Sequence, residues 1–272
     1  MKQKDFRQFE YEGWERVAGK YQDVWAHLTR QYVERLLAML EPAKGSRLLD
    51  VACGPGYVAG MALERGAKPF GIDFSQSMIA IARRRYPNIE FVEGDAESLP
   101  FSEASFDRVT VNFGLLHFPH PERALAEALR VLKTGGRIGF TVWANGEHNP
   151  AARILDEAVE RYGKKDIDIP EGPPYYLYGN ADACRSALAE RGYAPDSFRL
   201  ETVTVHWRVP TESYWFEAEK DASVRTAALL NNQPEENLQK IRRHVESETR
   251  QFASAGGYSI PFAAHLICAA KA

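Results

Sequence analysis

The sequence predicts an α/β fold built on an open sheet, with a ligand site at the carboxyl ends of its strands. The first observation is an apolar run at residues 48–52 that stops at Gly54 and is followed at once by a helix pattern at 57–62. Such a run is typical of a strand buried on both faces. The second observation is that further apolar segments alternate with helix patterns. They lie at residues 69–73, 89–96 and 106–112.

Composition excludes several classes of protein. Of 272 residues, 44% are hydrophobic and 26% are charged, with a formal net charge of -3. These values are typical of a soluble globular protein with one large domain, or a domain plus a cap, and argue against a nucleic-acid partner. The three cysteines, which we expect to be buried thiols, indicate a reducing cytoplasmic location. No apolar run is long enough to cross a membrane. Cys53, Cys184 and Cys268 lack metal-ligand spacing, so we expect buried thiols and no metal.

The elements after the first two strands follow in order. Ser75 is a suitable N-cap for the helix that follows it, and Pro121 suits the first position of a later helix. Gly135 and Gly136 predict the end of that helix, and residues 137–143 then read as a strand. Further helices are expected at residues 151–162 and 181–191, the second capped by Asn180. Strands are expected at residues 199–209, which alternate in polarity, and at residues 260–269.

The glycine loop admits two kinds of ligand. Residues 54–59 fit the dinucleotide fingerprint G-x-G-x-x-G/A, in which Gly54 and Gly56 let a ligand approach the backbone. Asp50, however, lies at the end of the preceding strand, where its carboxylate would repel a pyrophosphate. A ligand with an ammonium group would tolerate it. S-adenosylmethionine (SAM) has such a group and has no phosphate.

Two more acids end the next strands. Asp73 lies about twenty residues beyond the loop, a spacing that suits a carboxylate accepting from ribose hydroxyls. Asp95 follows the third strand and could accept from an adenine amino group. Three acids at successive strand ends therefore favour an adenosyl ligand without phosphates.

Five blocks in this order resemble the class I SAM-dependent methyltransferases. They read DVACGPG from Asp50, GIDFS from Gly71, GDAESLPF from Gly94, FDRV from Phe106 and RVLKTGGR from Arg130. Within that class the chain is most similar to the small-molecule group that includes methyltransferase type 11 and the ubiquinone/menaquinone biosynthesis methyltransferases. The resemblance covers about residues 40–145. It implies a Rossmann-like fold with a seven-stranded, mostly parallel sheet whose last strand is antiparallel.

The resemblance also implies a domain arrangement. Apolar stripes at residues 14–28 and 33–40 predict N-terminal helices that close over SAM as a lid, or that only pack on the sheet. The chain between the last two strands is too long for a hairpin loop and carries two helix patterns, which we expect to form an inserted cap. The predicted parts are a lid at 1–45, a SAM-binding domain at 46–209 and 258–272, and a cap at 210–257.

The resemblance implies which residues bind SAM. Tyr21 and Trp25 of the lid are expected nearest the sulfonium, because aromatic faces attract a cation. Met78 could touch adenine or pack in the core. The whole predicted cofactor set is Tyr21, Trp25, Asp50, Ala52, Gly54, Gly56, Asp73, Phe74, Met78, Asp95, Ala96, Asn112 and His117.

The chemistry follows from a methyl group that already carries a good leaving group. In-line positioning and exclusion of water are the main needs, and a general base is required only if the acceptor must lose a proton. His117 and Tyr21 are the catalytic candidates, and His117 could equally position the cofactor. His265, inside the last strand, is expected to be a core histidine, while His206 is expected at the surface.

The acceptor site is predicted from aromatic residues after the fifth strand. The segment PEGPPYYLY at residues 170–178 and the start of the cap could wall an apolar or aromatic small molecule, or could instead pack against the cap or a second subunit. The predicted acceptor residues are Tyr175, Tyr176, Tyr178 and Trp215. A monomer or a homodimer is expected.

Three functions remain open at this point. The first is SAM-dependent methyl transfer to a small organic acceptor. The second is an NAD(P)-dependent oxidoreductase that uses the same glycine loop. The third is a SAM-binding protein without transferase activity. The set Asp50, Asp73 and Asp95 disfavours the second and does not separate the first from the third.

Overall fold

The computed structural model describes residues 5–164 and 166–272. They form two compact units. Unit 1 comprises the described residues up to Leu28, together with Ala144–Glu171 and Thr204–Ala263. Unit 2 comprises Thr29–Trp143, Gly172–Val203 and Ala264–Ala272.

The helices fall close to the predicted positions. They are α1 (Phe6–Asp23), α2 (Ala26–Thr29), α3 (Val33–Leu40), α4 (Tyr57–Glu64), α5 (Gln76–Arg85), α6 (Pro121–Val131), α7 (Pro150–Tyr162), α8 (Ala181–Ala189), α9 (Tyr214–Ala222), α10 (Arg225–Asn231) and α11 (Glu235–Thr249). The predicted caps are confirmed, because Ser75 accepts from the N–H of Met78 and Asn180 accepts from the N–H of Ala183.

The strands form one mixed sheet. They are β1 (Arg47–Val51), β2 (Lys68–Asp73), β3 (Glu90–Glu93), β4 (Phe106–Asn112), β5 (Leu132–Trp143), β6 (Arg199–Val209), β7 (Ala253–Ser254) and β8 (Gly257–Ala270). Their order is β3-β2-β1-β4-β5-β8-β6, and the short β7 pairs with β8 outside this path. Pairs from β3 to β5 are parallel, while β8 runs antiparallel to β5. The predicted sheet with an antiparallel last strand is confirmed.

Two details differ from the sequence expectation. The helix α6 ends at Val131, and β5 begins directly at Leu132, which pairs with Phe106 of β4. The Gly135 N–H donates to the Lys271 carbonyl, and the Lys271 N–H donates to the Gly136 carbonyl. Gly135 and Gly136 therefore lie inside a strand. Residues 210–257, all of them described, hold three helices rather than two.

The core of unit 2 lies between β4, β5 and the helices α6 and α8. Val109, Phe140 and Leu125 are fully buried in it. On the opposite face of the sheet, α3 packs against β5, and a side chain at Gly139 would meet Leu40 at 2.8 Å. Covered on both faces, the central strands leave their ends as the accessible edge.

All three cysteines are buried and unpaired by disulfides, as predicted. Burial raises the pKa of Cys53 well above its ordinary value, raises that of Cys184 to about 12, and also raises that of Cys268. In the described ranges, no helix combines the length and the apolarity needed to cross a lipid bilayer.

Candidate functional site

The loop between β1 and α4 leaves room for a ligand. Gly54 and Gly56 have φ angles of 50° and 81°, a region that side chains disfavour. A Cβ at Gly56 would meet the Phe91 ring at 2.8 Å, whereas a Cβ at Gly54 would meet nothing within 4 Å. Gly56 is therefore required by packing, and Gly54 borders open space on the side where a ligand would lie.

Asp73 holds this loop against the end of β2. One carboxylate oxygen accepts from the Gly54 N–H at 2.8 Å, and the other accepts from the Ser75 N–H at 2.9 Å. The side chain is 7% exposed. The carboxylate expected at the ribose therefore lies beside the glycine loop and also organises its backbone.

Asp50 lies deeper than a residue that meets a ligand directly. It is 1% exposed, and its carboxylate accepts from the Thr110 hydroxyl at 2.9 Å and from the Ala59 N–H at 3.3 Å. Burial raises the pKa of Asp50 to about 7; these two hydrogen bonds oppose the rise, and nearby Asp73 adds to it. Asp50 thus joins β1, β4 and α4 beneath the loop.

Two non-glycine residues at this edge adopt left-handed backbone conformations. Ala52, just after β1, has a φ of 52°, and Phe113, just after β4, has a φ of 57°. Such conformations cost free energy and cluster at functional sites. Both occur at the carboxyl ends of adjacent parallel strands, where the sequence predicted the ligand.

Two buried side-chain oxygens at this edge have no hydrogen-bond partner among the described residues. Asn112 and Thr141 are register neighbours on β4 and β5, so their side chains point to one face of the sheet. Neither Asn112 Oδ1 nor Thr141 Oγ1 has a hydrogen-bond partner within the described part of the chain. A buried polar atom without a partner is costly, so this pair suits a ligand that carries donors.

The remaining cofactor candidates of unit 2 follow β2 and β3. Met78 and Ala96 are buried at 3% and 8% exposure, while Phe74 is half-buried. Asp95, also half-buried, accepts from the Glu97 N–H at 2.9 Å. Phe74 directly follows β2 and Met78 lies in the first turn of α5, while Asp95 and Ala96 follow the neighbouring strand β3.

His117 ends a short turn that follows β4. Its N–H donates to the Gly114 carbonyl at 2.9 Å, and its side chain is half-buried. The turn continues into α6, whose first residue is Pro121 as predicted. The imidazole is therefore carried by the loop at the carboxyl edge, on the β5 side of the glycine loop.

An apolar pocket lies next to this turn, entirely within unit 2. Its walls are residues 115–116 after β4, Val142 and Trp143 at the end of β5, Pro121, and residues 173–175 and 177–179 of the aromatic segment. The enclosed part of this space is about 10 Å³, the room of about one water molecule, and it opens to solvent. Tyr175 and Tyr178 are among its walls. Tyr176 packs edge-on against Tyr175 at 4.9 Å between ring centroids. Their role toward an acceptor stays a prediction.

The described side chains that line the pocket are uncharged. None of them is a carboxylate, ammonium or guanidinium group. Burial raises the pKa of Tyr178 to about 12, so its phenol stays protonated at neutral pH. Phe113 and Trp143 lie ring to ring, 4.2 Å between centroids, where the pocket meets the end of β4.

The other aromatic candidates belong to unit 1. Trp25 packs on Trp207 at 5.0 Å between centroids, and Phe262 contacts both Trp25 and Trp215. Trp215 is 1% exposed. Tyr21 meets Trp14 edge-on at 5.4 Å. These contacts give each ring a packing role within its unit, and their predicted roles toward cofactor and acceptor remain predictions.

Sequence reasoning missed several members of the site. Thr110 and Thr141 are ordinary strand residues in sequence, and only strand pairing brings Thr110 to Asp50 and Thr141 to Asn112. The end of β5, at Val142 and Trp143, could have been identified because it marks the same carboxyl edge as the ends of β1 and β4.

The electrostatics of the loop suit a cation better than a phosphate. Asp50 and Asp73 both lie beneath or beside it, and both raise the pKa of the Cys53 thiol after the larger effect of burial. The predicted cofactor set contains neither lysine nor arginine. A dinucleotide pyrophosphate would face these carboxylates without a balancing side chain from that set. The described residues contain no cluster of three or more metal-ligating side chains.

Comparisons with known proteins agree with this geometry. Residues 49–140 match a family described as a methyltransferase domain. A demethylmenaquinone methyltransferase of Renibacterium salmoninarum is 36% identical over 133 residues, which are 49% of this chain and 56% of that protein. The chain thus spans about half the length of the curated relative that it matches.

Two solved structures share the fold. A putative methyltransferase from Bacillus halodurans has a TM-score of 0.57 at 23% identity, covering 89% of this chain and 99% of that one. A phosphoethanolamine N-methyltransferase of Haemonchus contortus, in complex with phosphomonomethylethanolamine and S-adenosylhomocysteine, has a TM-score of 0.55 at 20% identity, covering 89% of this chain and 52% of that one. The chain has the Rossmann-like fold of class I methyltransferases.

Proposed function

We propose that this chain, whose residues 49–140 form a methyltransferase domain, binds SAM and transfers its methyl group to a small, uncharged, apolar or aromatic acceptor. The observation that carries the proposal is the Asp73 carboxylate bound to the Gly54 N–H at the carboxyl edge of the sheet. It joins the predicted ribose acceptor to the loop that borders open space. The complex of the Haemonchus relative with S-adenosylhomocysteine (SAH) supports the same ligand.

The residues of the edge suit successive parts of SAM. Asp73 would accept from ribose hydroxyls and Asp95 from the adenine amino group. The ionised form of Asp50 would favour the ligand's ammonium group, for which Asn112 Oδ1 is an available acceptor. Gly54 and Gly56 keep side chains out of the path of the ligand.

When bound, SAM supplies a methyl group on a sulfonium, which is a good leaving group. The chain then has to hold the acceptor in line with that methyl and to exclude water, and this positioning is worth about 7–11 kcal/mol of barrier. His117, half-buried after β4, is placed to orient the reactants or to accept a proton from an acceptor that must lose one.

The acceptor class is inferred from the pocket. Its uncharged, aromatic walls would leave a charged group without a partner, which disfavours phosphate-bearing or cationic acceptors. The printed name of the Renibacterium relative, a demethylmenaquinone methyltransferase, supports a quinone-like acceptor. An uncharged aromatic molecule is the simplest ligand of this chemistry.

Calorimetry with SAH and with NADH tests the cofactor. We expect SAH to bind and NADH not to bind, with SAH affinity much weaker in Asp73→Ala and unchanged in the exposed control Asp196→Asn. Binding of NADH without SAH would reject the proposal in favour of an oxidoreductase.

Turnover is tested separately with methyl-labelled SAM and a panel of uncharged acceptors that includes a reduced naphthoquinone. Labelled product from an uncharged aromatic acceptor is the expected result. Binding of SAH with no labelled product from any acceptor would favour a SAM-binding protein without transferase activity.

A further inference from the structure

His265 of the final strand links two distant parts of unit 2. Its Nδ1 lies 2.8 Å from the hydroxyl oxygen of Thr202 in β6, and its Nε2 lies 3.1 Å from the carbonyl oxygen of Gly179. The histidine is 3% exposed. Thr202 belongs to the edge strand of the sheet, and Gly179 ends the segment that walls the apolar pocket.

The two partners determine which ring nitrogen carries the proton. A carbonyl oxygen only accepts, so Nε2 bears the hydrogen and donates to Gly179. In the neutral ring Nδ1 then has a lone pair, which accepts from the Thr202 hydroxyl. Both nitrogens are satisfied by this one tautomer, as expected for a buried imidazole.

The segment that ends at Gly179 has little regular structure of its own. It is folded by two turns, in which the Leu177 N–H donates to the Pro174 carbonyl at 3.0 Å and the Gly179 N–H donates to the Tyr176 carbonyl at 2.9 Å. Among the described residues, the Tyr178 carbonyl accepts from the thiol of Cys184, which is a weak donor. The imidazole N–H is therefore a stronger tie between this wall and the sheet.

The same residue borders the opposite wall. In the antiparallel pairing of β5 and β8, His265 is the register partner of Val142, which lines the pocket from the sheet side. The hydrogen bond from His265 Nε2 to Gly179 therefore connects the β5–β8 strand pair, which carries one wall of the pocket, to the end of the 173–179 segment, which forms the other wall. It sets the position of Tyr178, the neighbour of Gly179, over that strand pair.

We infer that His265 is a positioning residue for the acceptor pocket, and that its neutral, Nε2-protonated ring fixes the end of the 173–179 wall to the β5–β8 strand pair that carries the opposite wall. The inference rests on the proposed function, because it assigns this pocket to the acceptor. The ring nitrogens of His265 contact Thr202 and Gly179, and neither of these residues is predicted to bind SAM. Its replacement should therefore weaken binding of the acceptor and leave binding of SAH unchanged.

Two substitutions separate the two ends of the link. In His265→Gln the amide nitrogen reaches about as far as Nε2 and can still donate to Gly179. In His265→Asn the shorter amide reaches only about as far as Nδ1. This variant therefore keeps the hydrogen bond with Thr202 and loses the hydrogen bond to the Gly179 carbonyl. Each variant removes one hydrogen bond, which makes the pair a matched control for stability.

Hydrogen exchange of the Leu177 and Gly179 amides reads the wall directly, without any turnover. We expect exchange about tenfold faster in His265→Asn, the scale of one lost hydrogen bond, and close to wild type in His265→Gln. Titration with 1,4-naphthoquinone, an uncharged planar probe, should show a parallel loss of affinity in the Asn variant alone. SAH affinity, measured on the same samples, should stay within about twofold of wild type.

Several results would overturn the inference. These are wild-type exchange in the Asn variant, equal changes in both variants, or a joint loss of SAH and naphthoquinone binding. Wild-type protein that binds SAH but not naphthoquinone would remove the pocket's assignment. Absence of SAH binding to wild type would instead reject the proposed function. The hydrogen-exchange data would still show whether the His265–Gly179 hydrogen bond holds the 173–179 wall. If the Asn variant does not fold, ¹⁵N spectra of the wild-type protein still test the inference, because they show which nitrogen of the His265 ring carries the proton. A ring protonated on Nδ1 would contradict the hydrogen bond from Nε2 to Gly179.

Discussion

The buried carboxyl group of Asp50 should make the stability of the protein fall as the pH rises through neutrality. Removal of Asp50 from water disfavours its charged form and raises its pKa from 3.8 to about 7, against the opposing hydrogen bonds from Thr110 and Ala59. The folded protein therefore holds a proton on Asp50 at a pH where the unfolded chain has released it.

The sign and size follow from this difference in bound protons. Between pH 3.8 and about 7 the folded state binds one more proton than the unfolded state, so the free energy of unfolding decreases as the pH rises. The contribution is complete below the unfolded pKa and is lost as the pH passes the folded pKa. A gap of about three pH units corresponds to about 4 kcal/mol, of which about 3 kcal/mol is lost between pH 5 and pH 8.

Urea unfolding of wild type and Asp50→Asn at half-unit steps from pH 5 to pH 8 measures this contribution. The amide cannot titrate, so the variant should lack this part of the slope, whatever constant offset its new contacts with Thr110 and Ala59 produce. The exposed control Asp196→Asn should run parallel to wild type. Parallel curves for wild type and Asp50→Asn would refute the reasoning, because they would show that Asp50 is ionised throughout this range.

Three further predictions concern the site. Asp73→Ala should weaken SAH binding at least about tenfold, as measured by calorimetry, and unchanged affinity would contradict the ribose assignment. It should also lower the free energy of unfolding in urea by about 2–4 kcal/mol, because the N–H groups of Gly54 and Ser75 lose a charged acceptor. His117→Ala should lower turnover less than Tyr21→Ala in a labelled-methyl assay, since positioning outweighs proton abstraction; complete loss in the histidine variant alone, with SAM still bound, would support a base. Gly60→Ala should destabilise the protein by about 1–3 kcal/mol, because the new Cβ would lie 2.4 Å from the Tyr86 ring, and an additional Tyr86→Ala should recover part of the loss; a neutral Gly60→Ala would show that the ring moves freely.

The strands and the edge that carries the site could be predicted from sequence because their signals are local. The glycine loop follows an apolar run, and Asp73 and Asp95 end the next two strands, so parallel pairing alone brings them to one edge. Ser75, Pro121 and Asn180 mark helix starts through chemistry confined to a single turn.

What could not be predicted depends on residues far apart in the chain. The sequence predicts that Asp50 faces the ligand, whereas the structure buries it against Thr110 of β4. Thr110 lies sixty positions further along the chain, so no local pattern indicates this contact. The strand β5 extends over Gly135 because Lys271 pairs with it near the chain's last residue. His265 was recognised as a core histidine, but its link to Gly179 has no pattern in the sequence.

The low reactivity expected of the three buried cysteines has a practical use. A thiol reacts as its thiolate, so the raised pKa values and the burial of Cys53, Cys184 and Cys268 protect them from maleimide reagents. Leu177 on the pocket wall is 38% exposed. A fluorophore attached through Leu177→Cys would therefore mark one position without removing any native cysteine, and could report acceptor binding in real time.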